Sequence, residues 1–135
     1  SGESEGWLID DYWNESGSPK RTHVSLNHHT AEAAFLYRLA DATGDESYAQ
    51  TAEKMVKGIE NTAAKWIMPD GDLYYSYGNN SRMITGDYPY LTYNDLLELQ
   101  RLWTKRHGAA NEAVSKLMAS KLAWMNKNGI TGYNK

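Results

Sequence analysis

The chain has 135 residues, of which 41% are hydrophobic and 23% charged, with a formal net charge of −3 and no cysteine. Its length fits one domain or part of one, and its composition is that of a folded globular protein rather than a disordered chain. Dispersed basic residues argue against a nucleic-acid binder, no apolar run reaches the roughly 18 residues of a membrane span, and the absence of cysteine excludes disulfides, thiolate zinc sites and a cysteine nucleophile.

Residues 1–26 read as an extended or loop lead-in. Ser1-Gly2-Glu3-Ser4-Glu5 is polar and acidic, with none of the apolar core of a signal peptide. Residues 27–68 read as a first αα-hairpin. Ala33, Leu36, Tyr37 and Ala40 recur at helical spacing, Gly44 supplies a left-handed stop, and Asp45 caps a second helix from Glu46 to Ile67. Pro69 and Asp70-Gly71 end that helix. Residues 71–91 read as a short irregular β-hairpin, with Leu73–Tyr77 and Arg82–Gly86 as its arms.

Residues 92–129 read as a second αα-hairpin. Its first helix, from about Tyr93 to His107, carries Leu96, Leu99, Leu102 and Trp103, and Thr92-x-x-Asp95 has the form of a capping box. Its second helix, about Ala110 to Asn128, carries Val114, Leu117, Met118, Leu122 and Met125 before Gly129. Sliding the first helix onto the third superimposes Ala33 on Leu96, Leu36 on Leu99 and Leu39 on Leu102. Helical-hairpin repeats have this signature, since neither hairpin buries its apolar face alone. Two unrelated amphipathic hairpins in a four-helix arrangement are the alternative. The expected fold is therefore mostly α: α/α-hairpin repeats with four main helices, forming an incomplete (α/α) toroid, and a short β-hairpin between the two helical hairpins.

Ten tyrosines and five tryptophans stand against one phenylalanine. Rings with a polar handle suit wet clefts and ligand surfaces. They gather at Trp7, Tyr12 and Trp13, at Tyr74, Tyr75 and Tyr77, and at Tyr88, Tyr90 and Tyr93. Between the first two groups, His23-Val-Ser-Leu-Asn27-His28-His29 opens the first helix. His28, His29 and Glu32 invite a metal reading, but adjacent helical residues point about 100° apart, so the three do not converge and no metal is expected. No phosphate loop, dinucleotide fingerprint or nucleophile elbow is present, and no cofactor is expected.

The order Trp7-Leu-Ile-Asp10-Asp11-Tyr12-Trp13, a loop, His23 to His29 opening a helix, a Thr43-Gly44 turn and a tyrosine-bearing segment at Leu73–Tyr77 resembles the C-terminal domain of the D-glucuronyl C5-epimerase family. The likeness covers about ninety residues by spacing and residue type. It implies an (α/α) toroid and an enzyme inverting C5 of uronic acids within a polysaccharide. It also implies Asp11 and Tyr12 as the acidic-tyrosine pair, with Asp11 in place of a glutamate, and Tyr75 or Tyr77 as a second catalytic tyrosine. Tyr88, Tyr90 and Tyr93 alone stand where that family has a tyrosine-histidine-rich segment.

Independently, taking a proton from a carbon next to a carboxylate requires groups on both faces of the sugar and a neutralised carboxylate. Arg82 is the cation closest in sequence to the tyrosines and would lower a phenol pKa. Trp7, His23, Asn27, His28, Arg82 and Tyr93 complete the expected substrate-binding set. An ordinary hairpin with cross-strand aromatic pairs explains Tyr74–Tyr77 equally well. Two other function classes fit the same pattern. One is another toroid polysaccharide lyase or hydrolase, the latter pairing Asp11 with Asp70, Asp72 or Asp87. The other is a non-catalytic helical module for glycan or protein. The expected partner is a polysaccharide or oligosaccharide, with the rest of the chain or a second copy capping the open helical array. The sequence itself leaves the compartment open, and the polysaccharide partner favours an extracellular or cell-surface setting.

Overall fold

The computed structural model describes residues 6–8, 23–78 and 82–135. Four helices and three short strands run in the order β1 (His23–Ser25), α1 (Leu26–Thr43), α2 (Glu46–Trp66), β2 (Ser76–Gly78), β3 (Met83–Ile84), α3 (Leu91–His107) and α4 (Glu112–Lys127). The mostly helical class and all four helices agree with the periodicity.

Both hairpins close by the same device. Gly44 and Gly108 sit in the left-handed region at φ 73° and 77°, and their N–H groups return to the carbonyls of Ala40 and Thr104, each at 2.8 Å. An L-residue with a Cβ is strained in that conformation, which glycine adopts freely. The next helix then starts on a side-chain cap. Asp45 accepts from the Ser47 N–H, and Asn111 accepts from the Val114 N–H.

α1 packs on α2 and α3, and α4 packs on α2 and α3. Polar contacts give the directions. Asp41, near the end of α1, pairs with Lys105 and Arg106 at the end of α3, while His28 and Asp95 interact near the two starts. α1 and α3 therefore run parallel. Asn111 at the start of α4 donates to Glu60 within α2, and Ser120 further along donates to Gly71 beyond the end of α2, so α2 and α4 also run parallel. The core between them is Ala33, Tyr37, Ala52, Met55, Val56, Ile59, Trp66, Leu96, Leu99, Val114 and Leu117, all essentially buried.

Two expectations are corrected here. The β element is larger than a hairpin: β1 joins β2 and β3 in an antiparallel sheet of order β1-β2-β3, with Val24 opposite Tyr77 and Ser76 opposite Ile84. β1 lies at the end of the stretch read as an extended lead-in, and α1 starts at Leu26, one residue before the expected Asn27. The capping box is also absent. α3 starts two residues earlier, at Leu91, and the Thr92 hydroxyl donates to Asp87 instead of its oxygen accepting from a helix N–H. Asp87 is buried and its carboxylate takes a second donor in preference to leaving it unpaired.

Residues 6–8 of the lead-in cross α2. The Trp7 N–H donates to the Lys54 carbonyl at 2.9 Å, and the Lys54 ammonium lies 4.4 Å from the centre of the Trp7 ring. The crossing is glycine on glycine: a Cβ on Gly58 would strike the Trp7 carbonyl, and one on Gly6 would lie 2.5 Å from the Gly58 nitrogen. In an ordinary helix interior Gly→Ala gains about 1 kcal/mol. Gly58→Ala is instead expected to lower the unfolding free energy by about 1–3 kcal/mol, as overpacking does. Urea denaturation checks this, and a raised midpoint would contradict the crossing.

Candidate functional site

Antiparallel hairpins with parallel partners put the starts of α1 and α3 and the ends of α2 and α4 at one end of the bundle. The sheet and the segment 67–90 cover that end. Leu26 N–H donates to the Tyr75 carbonyl, and Tyr75 N–H donates to the Ile84 carbonyl, which seats the sheet on the start of α1. Seven of the ten tyrosines (residues 74, 75, 77, 88, 90, 93 and 133) belong to this end or to the tail packed on it.

Lys121 of α4 is fully buried, and its ammonium has three acceptors: Asp72 Oδ1 at 2.6 Å, Asp87 Oδ2 at 2.8 Å and the Tyr88 carbonyl at 2.8 Å. An ammonium has three donors, so its capacity is filled. Asp87 Oδ1 takes the Thr92 hydroxyl at 2.6 Å. Two carboxylates and one ammonium leave this buried cluster negative. Burial accordingly raises the Asp87 carboxyl above the usual range, against the downward pull of Lys121 and Thr92.

The Tyr88 carbonyl is one of those three acceptors, and its ring stands edge-on to Tyr75 with centroids 5.9 Å apart. Tyr75 in turn is tilted against His23 at 6.3 Å. The three rings form a chain across the sheet and the entry to α3. At the start of α1 and in β2, three side-chain oxygens are buried without a hydrogen-bond partner among the described residues: Asn27 Oδ1, Thr30 Oγ1 and Ser76 Oγ. Asp95 lies on α3, one turn after Thr92. Burial pushes its carboxyl up to about 6, with His28 lowering it and Asp87 raising it further. A carboxyl in that range exchanges protons near neutral pH.

The expected site residues divide. Tyr75, His23, Asn27 and His28 come together at this end, and Asp95, which the sequence reading assigned to a cap, joins them. Tyr77 goes elsewhere. With Tyr74, Lys65, Ile67, Met68, Pro69 and Met83 it lines an open groove of about 690 Å³. Tyr93 is buried against the tail, edge-on to Tyr133 at 5.5 Å. Trp7 rests on α2, and Arg82 is exposed, with no ion pair or ring contact among the described residues. Asp11 and Tyr12 lie outside the described residues, as do Asp10 and Trp13. Of the carboxylates considered for hydrolysis, Asp72 and Asp87 both hold Lys121, and Asp70 accepts the Asp72 N–H at the turn.

His29 is buried, with Nε2 at 2.9 Å from the Met55 carbonyl, whereas His28 is exposed. The two adjacent rings diverge, as helical spacing requires. Among the described residues, no group of three or more His, Asp or Glu is placed to hold a metal ion, and no helix is long and apolar enough to cross a membrane.

The sequence did carry a signal for Lys121. It stands four residues after Leu117 and four before Met125, inside the buried stripe of α4 where a solvated lysine has no place.

Two predictions follow from this geometry. Lys121→Met leaves Asp72 and Asp87 without their cation and is expected to cost about 3–5 kcal/mol in urea unfolding. Adding Asp72→Asn and Asp87→Asn to that variant should recover part of the loss, and an unchanged midpoint for Lys121→Met alone would contradict the network. The second concerns pH. Asp95 moves from 3.8 to about 6 on folding, so the fold favours the protonated carboxyl. Its contribution to stability is full below pH 3.8 and is lost as pH rises through about 6. Asp95→Asn should flatten that fall in denaturation curves taken across the interval, and parallel pH profiles for the two proteins would contradict it.

No family model, curated protein or solved structure matches this chain, so its function is argued from the geometry of this end of the bundle.

Proposed function

We propose that the chain is a carbohydrate-active helical domain whose glycan site is the sheet-capped end of the bundle. The observation that carries this reading is the chain of rings His23, Tyr75 and Tyr88 at the same end of the bundle as Asp95, a carboxyl that burial pushes up to about 6. Aromatic faces stack on the C–H faces of a pyranose, and phenol and imidazole edges bond its hydroxyls. The parallel pairing of α1 with α3 and of α2 with α4 supports the finer fold reading, a stack of α/α hairpins forming part of a toroid.

The finer functional reading is uronyl C5-epimerisation, the activity implied by the resemblance around Asp11, Tyr12 and Tyr75. One group takes the C5 proton as the C5–H bonding pair moves toward the adjacent carboxylate, and a second group returns a proton to the opposite face. Tyr75 and Asp95 are the described candidates for the two roles, with Asp11 and Tyr12 as those carried over from the resemblance. His28, when protonated, is the cation on hand for the substrate carboxylate. A second reading, a non-catalytic glycan module, is favoured by one observation: the Lys121 ammonium is fully engaged by protein acceptors and has none of its charge free for a substrate.

The test is solvent exchange. With the full chain and uronan oligosaccharides in D2O, the C5 proton signal is expected to decline in NMR spectra. Tyr75→Phe and Asp95→Asn should each slow the exchange by about 10²–10⁴-fold, the usual contribution of a positioned acid or base. Binding without exchange would leave the module reading, and no binding to any oligosaccharide would overturn the proposal.

A further inference from the structure

The groove beside the ring chain has a composition that the proposed site does not use. Its walls are the last turn of α2, the turn after it and the β2–β3 hairpin. Ile67 and Met68 give it an apolar floor, and Tyr74, Tyr77 and Met83 are half-buried, each keeping part of its side chain exposed along the opening. Lys65 is the one charged residue in the lining among the described residues. Lys57 pairs with Glu60, Lys105 with Asp41, and Lys121 with Asp72 and Asp87, whereas Lys54, Lys116, Lys127 and Lys135 share with Lys65 the lack of a carboxylate partner among the described residues. Lys65 is exposed and pairs with no carboxylate among the described residues.

We infer that this groove is a second subsite, for a sugar unit bearing a negative charge as a carboxylate or a sulfate ester. The inference rests on the glycan reading of the neighbouring ring chain. Two phenol rings and thioethers along a shallow trough offer stacking area to one face of a pyranose. The lone ammonium at its edge is a hydrated point charge, suited to an anion that stays partly in water rather than to a buried planar contact. Tyr77 follows Tyr75 by two residues on the same arm of the hairpin, so their backbones lie within about 7 Å of each other. One oligosaccharide can occupy both, with its anionic unit set in the groove. Tyr77 is then a binding residue of the subsite, while Tyr75 belongs to the ring chain.

The experiment uses the full chain with labelled methionine methyls and three oligosaccharide probes of matched length: a uronate, a sulfated neutral backbone and the unsulfated neutral backbone. Calorimetry gives affinities, and NMR follows the Met68 and Met83 methyls together with the amides of His23 and Tyr75. The charged probes are expected to bind more tightly than the neutral one and to shift both methyls. Lys65→Gln should weaken a charged probe about three- to tenfold and leave the neutral probe unchanged. Because Lys65 is exposed, the variant is expected to fold as the parent does. Preference for one charged probe identifies carboxylate or sulfate as the recognised group. Equal affinities for charged and neutral probes, or shifts at His23 and Tyr75 with still methyls, overturn the subsite while the glycan reading stands. No response at any of these positions overturns both.

Discussion

Much of this protein depends on where one ammonium group is placed. Lys121 reaches from α4 to Asp72 in the turn after α2 and to Asp87 and Tyr88 in the run into α3. Two irregular stretches of the α2–α3 connection, both distant in sequence from Lys121, are thereby tied to one helix. Removing three charges from water costs several kcal/mol per ion, and the mutual attraction offsets this only because every donor of the ammonium and both oxygens of Asp87 are engaged. The arrangement fixes position more than it adds stability. Held by its carbonyl, Tyr88 has its ring at Tyr75, and Asp87 stands near enough to Asp95 to raise its carboxyl.

The two ends of the bundle differ for this reason. At the far end, two glycine turns of the same design reverse the chain, and Arg106 bridges Asp41 and Glu46 near the surface. Partly exposed pairs of that kind are worth little individually, and the helices there need only to be closed. At the sheet-capped end the chain spends more than twenty residues between α2 and α3. There it collects rings, buried oxygens and a carboxyl near its titration point.

The four helices were legible because each repeats apolar residues at helical spacing and stops at glycine or proline. Gly44, Asp45 and Gly108 all do what their residue types suggest. β1 was not legible: three residues are too few to show alternation, and their pairing depends on β2, some fifty residues away. Thr92 and Asp95 have the spacing of a capping box, but the demand of buried Asp87 for a second donor took Thr92 instead. Lys121 sits in a stripe where apolar residues were expected, and a charge there signals a buried partner. The tyrosines announced an end of the molecule but not its subdivision. Tyr75 and Tyr77 look equivalent in sequence, whereas the backbone bends at Tyr75 and sends one ring to His23 and Tyr88 and the other to the groove.

The central claim is that ligand recognition belongs to the end organised by Lys121. Backbone amide mapping by NMR of the full chain, titrated with an acidic oligosaccharide, tests it most directly. The account predicts shifts at His23, His28, Tyr75, Tyr88 and Asp95, with Gly44, Gly108 and their neighbours unmoved. Shifts centred on the glycine turns, or spread evenly over both ends, would contradict it.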